Sequence, residues 1–238
     1  MIFAIDHIVV AAPAEQSRDL RKTLVAAGFA SEDFRLEFPE VGVASESVSF
    51  NGGGFVECLA AFEEPLAPRV WFTDNPRIIG LGFASDDFDA DTNWSAETGA
   101  WVMREDHTLP DGSRLNIHAA GPHPHFSDFY VFVMDRPDGR LQFPEREVEP
   151  WLSRLSFTGE AADVWRGRLK DWLGPAERPG RVLVGDVELT FRRSARPGIS
   201  VTPTFERAKL SDRLELSRGS IELVASAEEP KSDWRENG

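Results

Sequence analysis

The sequence predicts an α+β fold made of small β-α-β-β-β units, written three times along 238 residues. The first 62 residues run strand, helix and three more strands. The same order recurs after residue 150. Both units also close alike: the stretch GGFVECLAA at 53–61 is matched by GSIELVAS at 219–226, so that Glu222 falls on Glu57. Such self-similarity is the mark of a repeated architecture.

The opening run, Phe3 to Ala11, is apolar apart from Asp6 and His7 and is closed by Pro13, as a strand would be. Ala14 to Ala27 carries Leu20, Leu24 and Ala27 at helical spacing and stops at Gly28. Phe34 to Phe38 alternates strictly, and Val43 to Phe50 follows more loosely. Asn51-Gly52-Gly53-Gly54 then makes a turn into the strand Phe55 to Ala60. This is the first unit, residues 1–62.

A fainter middle unit spans 78–135. Ile78 to Ser85 reads as a strand, and Asp87 to Thr98 as a short helix with three early aspartates that suit its dipole. Thr108 to Ala119 holds a Pro-Asp-Gly-Ser turn, and the unbroken apolar run Phe129 to Met134 fits a buried strand. In the third unit, 151–226, Leu152 to Thr158 is a strand. Glu160 to Leu173 is an amphipathic helix with Ala161, Trp165, Leu169 and Trp172 on one side, ending at Gly174-Pro175. Arg181 to Val184 and Val187 to Phe191 flank the two-residue turn Gly185-Asp186. Pro/Gly-rich joints at 62–77 and 136–150 separate the units, and 227–238 reads as a polar tail.

Composition narrows the function. A formal charge of −14 with no basic run repels phosphate backbones and anionic lipids, which argues against nucleic-acid and membrane-surface partners. Cys58 is the lone cysteine, so an internal disulfide framework and a Cys-based zinc site are excluded. The start lacks a basic segment and reads as a strand, not a signal peptide. No apolar stretch reaches 18 residues. The expectation is a cytoplasmic protein with a small-molecule ligand.

His7 and Glu57 are each the single polar group on their own face of an otherwise apolar strand. Strand alternation puts His7 with Ile5 and Val9, and Glu57 with Phe55 and Leu59. If the two strands lie side by side in a curled sheet, imidazole and carboxylate share one concave space, a half-site for a divalent ion. A solvated sheet face is the alternative, and it stays open. His118, His123 and His125 fall in a Pro/Gly-rich stretch read as a polar loop that could lend a replacement ligand. His107 is expected at the surface. Cys58 adjoins Glu57 but faces away, as a buried structural thiol. Gly52-Gly53-Gly54 lacks a following helix and is a turn, not a phosphate cradle. Trp71, Trp94 and Trp101 are candidates for a pocket wall or for core.

Ile5-Asp6-His7-Ile8-Val9, a helix, and then Asn51-Gly52-Gly53-Gly54-Phe55-Val56-Glu57-Cys58-Leu59 resemble the first module of the vicinal oxygen chelate superfamily, in its glyoxalase-like branch. The resemblance implies paired modules curling into an open, barrel-like sheet around a cavity. It also implies a divalent ion (Zn, Ni, Mn or Fe), pairing of chains into a homodimer, and lyase, isomerase or dioxygenase chemistry on vicinal oxygens. On that resemblance the metal set is His7, Glu57 and Glu222, and an uncoordinated Glu222 would be a general base. Arg154 falls where a second histidine belongs, and Gly80 and Phe132 fall at the matching middle-unit positions. An Arg154–Glu222 ion pair would instead fill that half-site with protein charge. A cavity that binds a small molecule without metal or turnover is therefore an equal reading.

Overall fold

β1 (Ile2–Ala12) crosses the middle of a curled, mixed eight-stranded sheet. After it come α1 (Ala14–Ala26), β2 (Ala30–Phe38), β3 (Val43–Ser49), β4 (Phe55–Ala61), β5 (Arg77–Ser85), α2 (Phe88–Asp91), β6 (Trp101–Thr108), β7 (Arg114–Gly121) and β8 (Tyr130–Asp135). The strand order is β2-β3-β4-β1-β5-β8-β7-β6. This computed structural model describes residues 1–39, 42–61, 75–93, 100–108, 112, 114–121, 129–139, 148–173, 181–217 and 219–225.

The first and middle segments thus share one sheet. β1 runs parallel to β4 and antiparallel to β5, which in turn runs parallel to β8. The chain then repeats this plan in shortened form. β9 (Trp151–Gly159), α3 (Ala162–Leu173), β10 (Arg181–Val184), β11 (Val187–Arg193), β12 (Ser200–Ala208), β13 (Asp212–Glu215) and β14 (Ser220–Ala225) make a six-stranded sheet ordered β10-β11-β9-β12-β14-β13. Here β9 is parallel to β11 and antiparallel to β12, and β12 is parallel to β14. The α+β class and the half-barrel of repeated units agree with the sequence expectation.

The helix-bearing faces of the two sheets meet in one core. Leu20 and Leu24 of α1 join Ile8, Val10, Val56 and Leu81 of the first sheet, together with Leu155, Leu189, Phe205 and Ile221 of the second. Phe205 lies edge-on to Phe29 at 4.9 Å, and Phe129 lies edge-on to Trp165 at 5.1 Å. Contacts of this kind are worth about 0.5–1.5 kcal/mol each beyond the area they bury. A second, separate apolar cluster lines the other face of the first sheet, with Val9, Leu59, Ile79, Ile117, Tyr130, Phe132 and Met134. The curl is strong enough that Phe38 on edge strand β2 meets His107 on the opposite edge, β6, at 5.7 Å between ring centroids.

β12 and β13 lie where the sequence reading placed no strand, and two further details differ from expectation. α2 is only four residues long within the predicted helix, whose residues 94–98 lie outside the described ones. β6 is a strand that sequence reading passed over. Its exposure alternates residue by residue, but Arg104, Glu105, Asp106 and His107 hide that alternation in hydropathy. Among the described residues, no helix is long and apolar enough to cross a membrane.

Candidate small-molecule site

The concave face of the first sheet holds the site, and a β-bulge shapes it. Ile5 pairs with Phe83 and His7 with Gly82, so Asp6 is an extra residue in β1. The extra residue resets the alternation. Ile5 turns into the core shared by the two sheets, and His7 turns into the cup with Val9. The expected grouping of His7 with Ile5 is therefore corrected by the bulge, which no periodicity argument anticipates.

Asp6 is fully buried, and its carboxylate has two partners. Arg136, just past β8, donates from Nε at 2.7 Å and from Nη2 at 3.1 Å, a bidentate grip. His7 Nδ1 lies 2.7 Å from Asp6 Oδ1. Burial pushes the Asp6 carboxyl up, but Arg136 and then His7 outweigh it and hold it at about 2. An ionised Asp6 can only accept, so His7 Nδ1 donates to it, and Nε2 is the ring nitrogen turned toward Glu57.

Nε2 is 3.7 Å from Glu57 Oε2. The parallel register of β1 and β4 sets this pairing, with His7 beside Phe55 and Val9 beside Glu57. Rings hold the imidazole: Phe55 stacks on it at 4.4 Å and 16°, and Phe132 meets it edge-on at 5.0 Å. Gly82 makes the room, since a Cβ there would lie 2.9 Å from the His7 ring. Tyr130, stacked on Phe132, and Trp101 continue the aromatic wall. Burial and the nearby Glu57 push the Tyr130 phenol well above its ordinary range.

The two halves of the sheet are related by a pseudo-twofold axis through the Ile8–Leu81 pair. β5 carries its own irregularity between Gly80 and Ile78, mirroring the one at Asp6. Across that axis His7 corresponds to Gly80, Asp6 to Ile79 and, from the β5–β8 register, Glu57 to Phe132. The ring of Tyr130 occupies the space that a Gly80 side chain would need, coming within 2.8 Å of its Cβ position. One half of the cup carries the His7–Glu57 pair, and at the matching positions its mate has Gly80 under the Tyr130 ring and Phe132.

A divalent ion would find half a site here. A gap of 3.7 Å lets imidazole and carboxylate reach a common point at about 2.0–2.2 Å. Asp6 is committed to Arg136, and the twofold mates cannot ligate. Among the described residues no group of three or more His, Cys, Asp or Glu could hold a metal. Among the described residues, His7 and Glu57 alone do not complete a metal centre.

Glu222 does not join the pair. It lies on β14, on the face of the second sheet turned away from the core to which Ile221 and Leu223 belong. Arg213 donates to it at 3.1 Å, as does the Thr204 hydroxyl. Arg154 pairs with Glu188 at 3.3 Å rather than with Glu222. The repeat match is nevertheless informative. β9 skips Ser153 against β12 as β1 skips Asp6 against β5, which puts Arg154 in the place of His7 and Glu222 in the place of Phe132. Sequence similarity found the right position within a unit; the fold put that unit in the other sheet.

The remaining histidines stay outside the cup. His118 lies on strand β7 rather than in a loop. Its neighbours Ile117 and Ala119 line the cup, so its ring turns outward, with Nδ1 3.3 Å from Asp135. His123 and His125 lie outside the described residues, as do Trp71 and Trp94. His107 is 3.0 Å from Glu105, at the rim. Cys58 is buried in the shared core as expected, and burial, then Glu57, pushes its thiol up to about 12. Sequence reading missed Asp6 and Arg136, since a pair 130 residues apart leaves no local signal.

No family model and no curated protein matches the chain. Its fold, however, is found among solved structures. A hypothetical protein from Staphylococcus aureus superposes with a TM-score of 0.64 at 9% identity, covering 95% of this chain and 100% of that one. A mutant of 4-hydroxymandelate synthase from Streptomyces coelicolor gives a TM-score of 0.52 at 14% identity, over 89% of this chain and 72% of that one. Methylmalonyl-CoA epimerase from Streptomyces coelicolor, in complex with 2-nitronate-propionyl-CoA, gives 0.43 at 19% identity over 60% of this chain and 100% of its own.

Proposed function

We propose that the chain is a small-molecule-binding protein of the vicinal oxygen chelate superfamily and that its ligand sits in the cup of the first sheet. The observation that carries this reading is the asymmetry of the cup. His7 Nε2 and the Glu57 carboxylate form one polar pair 3.7 Å apart in an aromatic wall, and their twofold mates, Gly80 and Phe132, supply no second pair. A concave apolar surface with a few convergent polar groups is the usual form of a ligand site. The test is a small-molecule screen read by chemical-shift changes of the His7 ring and of the Phe55 and Phe132 amides. Ligands that move those signals, and lose affinity in His7→Ala, support the assignment. Ligands that shift only second-sheet residues would sink it.

The competing reading is a metal-dependent lyase, isomerase or dioxygenase. One observation favours it: metal-ligating histidines commonly give their second N–H to a carboxylate, as His7 does to Asp6. It requires ligands beyond His7 and Glu57. Equilibrium dialysis against Zn, Ni, Mn and Fe decides between the two, because stoichiometric uptake lost in both His7→Ala and Glu57→Ala would establish a centre.

A further inference from the structure

The second sheet repeats the middle six strands of the first and lacks the counterparts of β2 and β6, the edges that roll the first sheet into a cup. Its face away from the core stays open, and the Arg154 and Arg213 side chains on it are about half exposed. The strand registers set one row straight across this face: Leu183, Glu188, Arg154, Thr204, Glu222 and Arg213, one residue from each strand. Neighbours in such a row stand about 4.8 Å apart. From β11 to β13 the charges run minus, plus, neutral, minus, plus. Turned end for end, that order is its own complement. We infer that this face is where two copies of the chain associate as an isologous dimer.

A second copy laid face to face, with the twofold axis along β12 and through Thr204, sets Arg154 against Glu222 and Glu188 against Arg213, each twice. An axis along the row would instead set every charge against itself. With a formal charge of −14 on each chain, general attraction between copies is absent, so association has to come from a local match of this kind. The rest of the face fits it. Leu183 and Val224 are exposed apolar side chains there, Val224 by alternation with the core residues Ile221 and Leu223. The adjoining row, Thr190, Ser156, Thr202 and Ser220, is made of small hydroxyl residues, which lets a second sheet come close. Glu206, further along β12, would lie near its own mate. Arg207, held 6.0 Å over the Trp151 ring that stands in register with Glu206, supplies the counter-charge.

Sedimentation velocity on the full chain should show a dimer at micromolar concentration. Arg154→Glu and Glu222→Arg each put like charges opposite one another at two symmetric places, and each should weaken the dimer at least about a hundredfold. Mixed in equal amounts, the two variants should associate with each other, because each reversal answers the other across the axis. Unfolding midpoints near the wild-type value check that both variants fold. If either does not, Glu188→Arg with Arg213→Glu repeats the test on the second pair. A wild-type chain that is monomeric at these concentrations overturns the inference. So does a dimer that survives both reversals, which would join the copies through another face, or a pair of folded variants that stay apart when mixed.

Discussion

Asp6 and His7 are neighbours on one strand, yet Oδ1 of the first lies 2.7 Å from Nδ1 of the second. Consecutive residues of a regular strand point to opposite faces and cannot meet this way. The bulge in β1 lets them, and it turns an aspartate that has no place in an apolar core into the anchor of a ring in the cup. Arg136 completes the arrangement from 130 residues away.

Breaking this anchor on one side should cost more than replacing it whole. Asp6→Asn or Arg136→Met alone removes one side of a buried, bidentate ion pair, and each is expected to lower stability by about 3–5 kcal/mol. The double replacement Asp6→Leu with Arg136→Met should be milder than the sum of the two. Urea unfolding of the four proteins measures the coupling directly, and simple additivity would show that the pair does not act as a unit.

Acid should dismantle the same contact. The folded Asp6 carboxyl titrates at about 2, below its ordinary 3.8, so its stabilisation is complete above about pH 4 and is lost as pH falls toward 2. The difference amounts to about 2 kcal/mol. In Asp6→Asn that part of the acid dependence should vanish, which a comparison of unfolding free energy at pH 5 and pH 3 would show.

Gly82 is held open for the imidazole. A methyl group at this position would stand 2.9 Å from a ring that Phe55 and Phe132 keep from retreating. Gly82→Ala should therefore destabilise by about 1–3 kcal/mol and lengthen the His7–Asp6 contact. The ring nitrogen shifts of His7 report the second effect; unchanged shifts would mean that the ring has room to spare.

Cys58 should be chemically silent in the folded protein. With its thiol pushed up to about 12 and buried, almost no thiolate exists at neutral pH. A disulfide reagent such as DTNB should label it only after denaturation, and rapid native labelling would contradict the burial.

Glu222 should be dispensable to the cup. Its pair with Arg213 is partly exposed on the other sheet, where such contacts contribute about 0–1 kcal/mol. Glu222→Gln is expected to leave ligand affinity and any metal uptake at wild-type levels. A loss comparable to that of Glu57→Gln would return Glu222 to the site.

The sequence by itself determined a good deal: the class of the fold, most strand positions, the repeat, and the two residues His7 and Glu57 that face the cup. These follow from local rules, because turn chemistry and period-two or period-3.6 patterns are written in consecutive residues. It also located Gly80 and Phe132 as the middle-unit positions that correspond to His7 and Glu57. What only the tertiary structure decided is which units share a sheet. Units match in sequence because each repeats one strand plan, but the pairing of β1 with β5 rather than with β9 is a long-range choice. That choice placed Glu222 on the other sheet, apart from His7 and Glu57, and brought Arg136 to Asp6, since a buried charge must find its counter-ion wherever the packed chain provides one.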